Sequence, residues 1–140
     1  MNKPARGTPF ATAADCEAAF YRAFRRGDLE AMAEIWDASE DVICVHPAAL
    51  PLSGRNAVMQ SWQDILGTSG GVQVRFDCRN RADSDGLAVH AGIEIIGPGD
   101  RDPALVTVTN VYALTSAGWK MRGHHAAPVH RAASPRGAVH

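Results

Sequence analysis

The chain has 140 residues, of which 46% are apolar and 21% charged, with a formal net charge of −1. That is the size of one domain, large enough to bury a core without disulfides or metals. Acids and bases are interspersed, so no basic stripe offers itself to nucleic acid, and no apolar run approaches the roughly 18 residues of a membrane span.

Residues 1–11, with Pro4, Gly7 and Pro9, read as a flexible arm without the apolar core of a secretory leader, which predicts a cytoplasmic protein. A domain is expected over 12–128. Thr12 offers an N-cap, and Cys16, Phe20, Ala23 and Phe24 follow at helical spacing. Gly27 supplies a stop, and Asp28 caps a shorter helix whose apolar face is Leu29, Met32, Ile35 and Trp36. Val42–His46 is a short strand ending at Pro47, and 47–54 is a proline-rich loop. A third helix is predicted from Arg55 to Leu66, stopped by Gly67, with Val58, Trp62, Ile65 and Leu66 on one side.

The period then changes to two. Strands are predicted at 72–79, 87–95, 106–114 and 119–126, with turns at Asp85-Gly86, Gly97–Pro103 and Ser116–Gly118. Residues 129–140 read as a flexible tail. Short connections make the strands mainly antiparallel, and only the three helices can cover one face of their sheet. The fold class is therefore α+β, a strongly curved sheet with helices packed on it, leaving a conical pocket. Cys16, Cys44 and Cys78 are odd in number, far apart and set among apolar residues, so they read as small buried hydrophobes.

Several motifs carry a resemblance. The Gly27-Asp28 junction matches an R-x-G-D between two helices. Val45-His46-Pro47 followed by Gly54-Arg55 matches a strand, loop and helix start, with Ser61-Trp62 inside that helix. Thr109-Asn110-Val111-Tyr112 and Gly118-Trp119-Lys120-Met121 match a final hairpin. His124-His125-Ala126-Ala127-Pro128 resembles a terminal H-H-A-S-P, with Ala127 in place of the serine. These features resemble the nuclear-transport-factor-2-like superfamily, in its bacterial SnoaL-like, polyketide-cyclase-like branch. The resemblance implies a cone-shaped fold that often dimerises through its sheet. It spans isomerases, dehydratases, epoxide hydrolases, cyclases and non-catalytic assembly domains, so it does not choose a chemistry.

The residues supply candidates. His46 ends an apolar strand where a pocket rim would lie, either as a structural histidine or as a general base. Regular alternation puts Trp119, Met121, Gly123 and His125 on one face, marked as the core by its bulky members. His125 is then the pocket histidine, and His124 points outward, towards a dimer interface; a bulge would reverse the two. The same rule gives Val89, Ala91 and Ile93 the core and turns His90 and Glu94 away from the helices. The sharper alternative puts Glu94 in the cavity as a desolvated base. Asn110 and Tyr112 share a face and could bond a ligand carbonyl or a neighbouring strand, while Trp36 and Trp62 serve as core or as aromatic wall. The spacing of the histidines and Glu94 matches no metal motif, and no phosphate loop or nucleophile elbow is present, so no metal or cofactor is expected.

The expected function is a pocket for a small apolar or ring-containing molecule, as a cofactor-independent isomerase or lyase. His46 and His125 would be its catalytic groups, and Trp36, Trp62, Glu94, Asn110, Tyr112 and His124 its ligand-binding ones. The alternative is a non-catalytic, dimeric binding or assembly domain. A homodimer through the sheet is expected in either case.

Overall fold

A computed structural model describes residues 9–99 and 102–130. Helix α1 runs Ala13–Arg26. Thr12 caps it by accepting the Asp15 amide at 3.0 Å, and Gly27 closes it at φ 67°. That glycine is obligatory twice over: the left-handed turn suits it, and a Cβ there would lie 2.6 Å from the Gly70 carbonyl carbon. Asp28 caps α2 (Leu29–Ile35) through the Ala31 amide at 3.0 Å. Helix α3 spans Arg55–Ser69 and ends at Gly70, not at the expected Gly67. Gly67 lies within the exposed last turns, where a helical glycine costs only about 1 kcal/mol.

The strands are β1 (Ile43–Val45), β2 (Leu52–Ser53), β3 (Val74–Asp83), β4 (Leu87–Ile96), β5 (Ala104–Thr115) and β6 (Gly118–Pro128). They form one sheet in the order β2-β1-β6-β5-β4-β3. All pairs are antiparallel except β1 with β6. The small strand β2 lies in what the sequence reads as loop. The helices cover one face, where Phe20, Phe24, Met32, Ile35, Trp36, Trp62 and Met121 make the core. This is the expected α+β cone. The expected arm (1–11) and tail (129–140) fall mostly outside the described residues. No described helix is long and apolar enough to cross a membrane.

Two strands depart from the expected facing. In β6, Val111 pairs with Gly123 and Tyr112 with Met121, so Arg122 is an extra residue, a bulge. The bulge shifts the alternation by one. His124 is buried at 2% exposure and His125 is exposed, the reverse of the regular pattern. In β4 there is no bulge, but the polar residues take the inside. His90 and Glu94 are 0% and 2% exposed, while Val89, Ala91 and Ile93 lie half-buried on the outer face. Hydrophobicity misassigns this strand because the inward groups find polar partners on α1.

Candidate functional site

Helix α1 carries Glu17 and Tyr21 one turn apart, on the edge of its apolar stripe. Strand β4 opposes them with His90 and Glu94, and β5 with Asn110 and Tyr112. The result is a polar seam beneath α1, in two parts.

The first part joins α1, β4, β5, β6 and β1. The Tyr21 hydroxyl donates to Glu94 Oε2 at 2.8 Å and accepts from Asn110 Nδ2 at 2.9 Å. Asn110 Oδ1 meets His124 Nδ1 at 2.6 Å. His124 Nε2 stands 4.0 Å from Glu94 Oε2, beyond hydrogen-bond reach. Beside them His46 Nε2 meets Ser61 Oγ at 2.9 Å and Cys44 Sγ at 3.5 Å. The Trp62 indole bridges the two imidazoles, its ring 4.9 Å from His46 and 5.9 Å from His124. Phe20, Phe24 and Phe76 pack around Trp62 and Tyr21.

Four polar atoms of this cluster are unpartnered among the described residues. They are Glu94 Oε1, His46 Nδ1, His124 Nε2 and the buried Trp62 Nε1–H. Of the four, only Trp62 Nε1–H is a fully buried atom without a partner, and a buried polar group in a folded protein almost always finds one, so it is the one that calls for an explanation. Burial also sets the charges. It raises the Glu94 carboxyl to about 7, against the opposing hydrogen bond from Tyr21. Burial, helped by His46 and His125, lowers His124 to about 3, so its ring is neutral at physiological pH. Burial lowers His46 too and raises the Cys44 thiol to about 12, which leaves that thiol inert.

The second part is fully paired. His90 is held between Glu17 Oε1 (Nδ1, 2.7 Å) and Asp83 Oδ1 (Nε2, 2.7 Å). Arg81 bonds Glu17 Oε2 at 2.9 Å, and the Tyr112 hydroxyl reaches Glu17 Oε1 at 3.4 Å. It reads as a clasp tying β3 and β4 to α1. No group of three or more His, Cys, Asp or Glu among the described residues is placed to hold a metal ion.

Of the residues singled out in the sequence, His46, Trp62, Glu94, Asn110 and His124 therefore come together. Tyr112 belongs to the neighbouring clasp. Trp36 is buried beside β6, bridged to Met121, with its indole N–H unpartnered. His125 faces away from the cluster, for the reason given above. Tyr21 and Glu17 escape sequence reasoning; their signal is a tyrosine and a glutamate flanking an apolar helical stripe, while Ser61 enters the sequence reading only as part of the Ser61-Trp62 motif, with no site role.

A family model described as SnoaL-like domain matches residues 14–130. A solved candidate calcium/calmodulin-dependent protein kinase type II association domain from Thiobacillus denitrificans is 32% identical. Its TM-score is 0.80, over 91% of this chain and 100% of that one. A candidate dehydratase of the NTF2-like family from Streptomyces avermitilis is 33% identical. Its TM-score is 0.72, over 82% of this chain and 91% of that one. An F-box protein of Arabidopsis thaliana, SKIP8, is 30% identical over 109 residues; the match takes in 76% of this chain and 45% of that protein. The chain thus spans under half the length of that relative.

Proposed function

The chain belongs to the SnoaL-like domain family, and from that premise we propose that the Glu94–His124–His46 cluster is a small-molecule site performing cofactor-free acid–base chemistry. The supporting observation is the buried, unpartnered Trp62 indole N–H beside His46 and His124, in a cluster where Glu94 Oε1 and one nitrogen of each imidazole have no partner among the described residues, walled by aromatic rings. Glu94 acts as the base. With its carboxyl raised to about 7, it is partly ionised at neutral pH and basic enough to take a proton from carbon. Trp62 Nε1–H donates to the ligand, the two neutral imidazoles accept from it, and Glu94, carrying the proton it took, returns it to the ligand. Proton removal beside a carbonyl, followed by reprotonation or loss of a leaving group, is isomerase or lyase chemistry. The likeness to a candidate dehydratase agrees with this reading.

The test uses 2-tetralone, a flat bicyclic ketone, in D₂O. Exchange of its α-protons, followed by NMR, should be accelerated by the protein and rise with pH through about 7. Glu94→Gln should remove the acceleration, a loss on the order of 10²-fold or more for a positioned base. The site reading is wrong if no member of a panel of bicyclic ketones and phenols perturbs the Trp62 indole resonance.

The assembly reading also has an observation behind it and is compatible with a working site. The outer face of the sheet presents Val89, Ala91, Ile93, Ile95, Thr109 and Val111, small or apolar and half-buried, with no helix of the described residues over them. We propose that a second copy pairs there, in keeping with the likeness to a candidate association domain.

A further inference from the structure

We infer that Ser61 and Asn110 are positioning residues that hold His46 and His124 in opposite tautomers, so that each presents a bare nitrogen to the site. The inference rests on the acid–base reading above and adds which nitrogen of each ring is available.

For His46 the direction follows from the serine. The Ser61 hydroxyl donates its one proton to the Val58 carbonyl at 2.6 Å, the backbone acceptor one turn back in α3. Its oxygen then has only lone pairs for His46 Nε2 at 2.9 Å, so Nε2 must carry the hydrogen. The Cys44 sulfur, 3.5 Å from the same nitrogen, is a second, weaker acceptor. Nδ1 is left bare and unpartnered.

For His124 the direction is passed down a chain that starts at Glu94. An ionised carboxylate only accepts, so the Tyr21 hydroxyl donates to it at 2.8 Å. The Tyr21 oxygen must therefore accept from the Asn110 amide nitrogen at 2.9 Å. That orients the amide and turns its carbonyl oxygen to His124 Nδ1 at 2.6 Å, which must be N–H. Nε2 is then the bare nitrogen, facing Glu94 at 4.0 Å. The two rings reach one site from different places, His46 just past β1 and His124 on β6, and the protein fixes them through different atoms. A free imidazole in water interconverts its tautomers; here the Ser61 hydroxyl and the Asn110 amide choose for it.

The tautomers can be read directly by long-range ¹H–¹⁵N correlation of the histidine rings in ligand-free protein at pH 8. The two ring nitrogens resonate far apart according to which bears the proton. His46 should show Nε2–H with bare Nδ1, and His124 the reverse. Ser61→Ala should cost His46 its single-tautomer pattern and leave His124 unchanged, while Ser61→Thr should restore His46. Cys44→Ala should leave His46 as Nε2–H. Asn110→Leu should release His124 only. If that variant does not fold, the wild-type assignment of His124 alone decides its half. The same tautomer on both rings, or a His46 pattern indifferent to Ser61→Ala, overturns the inference. Because no ligand is present, this result stands apart from the tetralone test, and either can fail without the other.

Discussion

At the scale of single residues, Glu94 and His124 pull stability in opposite directions as pH changes. Folding raises Glu94 from 4.5 to about 7, so the native state holds a proton that the unfolded chain releases. Its contribution is therefore most favourable below 4.5 and is lost as pH rises through 7, by about 3 kcal/mol in all. Folding lowers His124 from 6.5 to about 3, so the unfolded chain takes up a proton the native ring refuses. Stability from this group is complete above 6.5 and falls as pH drops. Between 4.5 and 6.5 the two slopes oppose and nearly cancel in the wild type. Glu94→Gln removes one of them. The variant should be more stable than wild type by up to about 3 kcal/mol at pH 8, and should lose about 1.4 kcal/mol for each unit of acidification below 6.5. Urea titrations at stepped pH measure both. A variant less stable at pH 8 would mean that Glu94 is not held against its own desolvation. A site that costs stability is what acid–base function leads one to expect, since a carboxylate fully compensated by partners could not act as a base near neutrality.

At the scale of elements, what the sequence made legible was local, and what it hid was relational. Thr12, Gly27 and Asp28 act within one turn of the residues they cap, and each holds its predicted place. The facing of β4 and β6 depends on partners far along the chain: Tyr21 lies 73 residues from Glu94, and the bulge at Arg122 shows only in its pairing with β5. Alternation alone therefore gave the right candidates on β6 in the wrong order. The bulge makes a testable claim about that order. With Arg122 deleted, Met121, Gly123 and His124 can keep their present partners Tyr112, Val111 and Asn110, now in unbroken alternation. The deletion variant should fold with His124 still inside and His125 still outside. It should lose about 1–3 kcal/mol, because Arg122 also bonds the mostly buried Asp37 at 2.8 Å. Modification by diethylpyrocarbonate, mapped by mass spectrometry, should mark His125 and spare His124 in both proteins. Exchange of the two would show that something other than the bulge sets which one is buried.

At the scale of the whole molecule, the sheet has two faces of different character. The inner face carries the seam, half of it paired and half not. Removing a paired member should cost stability without touching the site: His90→Leu leaves Glu17 and Asp83 without their shared partner. It should destabilise by about 1–3 kcal/mol in chemical denaturation, since Glu17 keeps Arg81, while the Trp62 indole resonance stays where it is in the wild type. The outer face is where β4 places Val89, Ala91 and Ile93, the residues that sequence reasoning assigned to the core. That assignment erred about the chain but identified real apolar character, and a second copy would give those side chains the burial their composition suits. Their register centres on Ala91 opposite Thr109, with Thr109 in turn opposite His125. In a two-fold arrangement one substitution is present twice, so a charge at the centre meets its own copy across the interface. Thr109→Arg should therefore convert a dimer to a monomer at micromolar concentration, read by light scattering coupled to size exclusion, with α1 and its seam still folded. A wild type that is already a monomer, or a Thr109→Arg variant that still dimerises, would place the contact elsewhere. It would also leave the half-buried face of β4 without a partner to account for it.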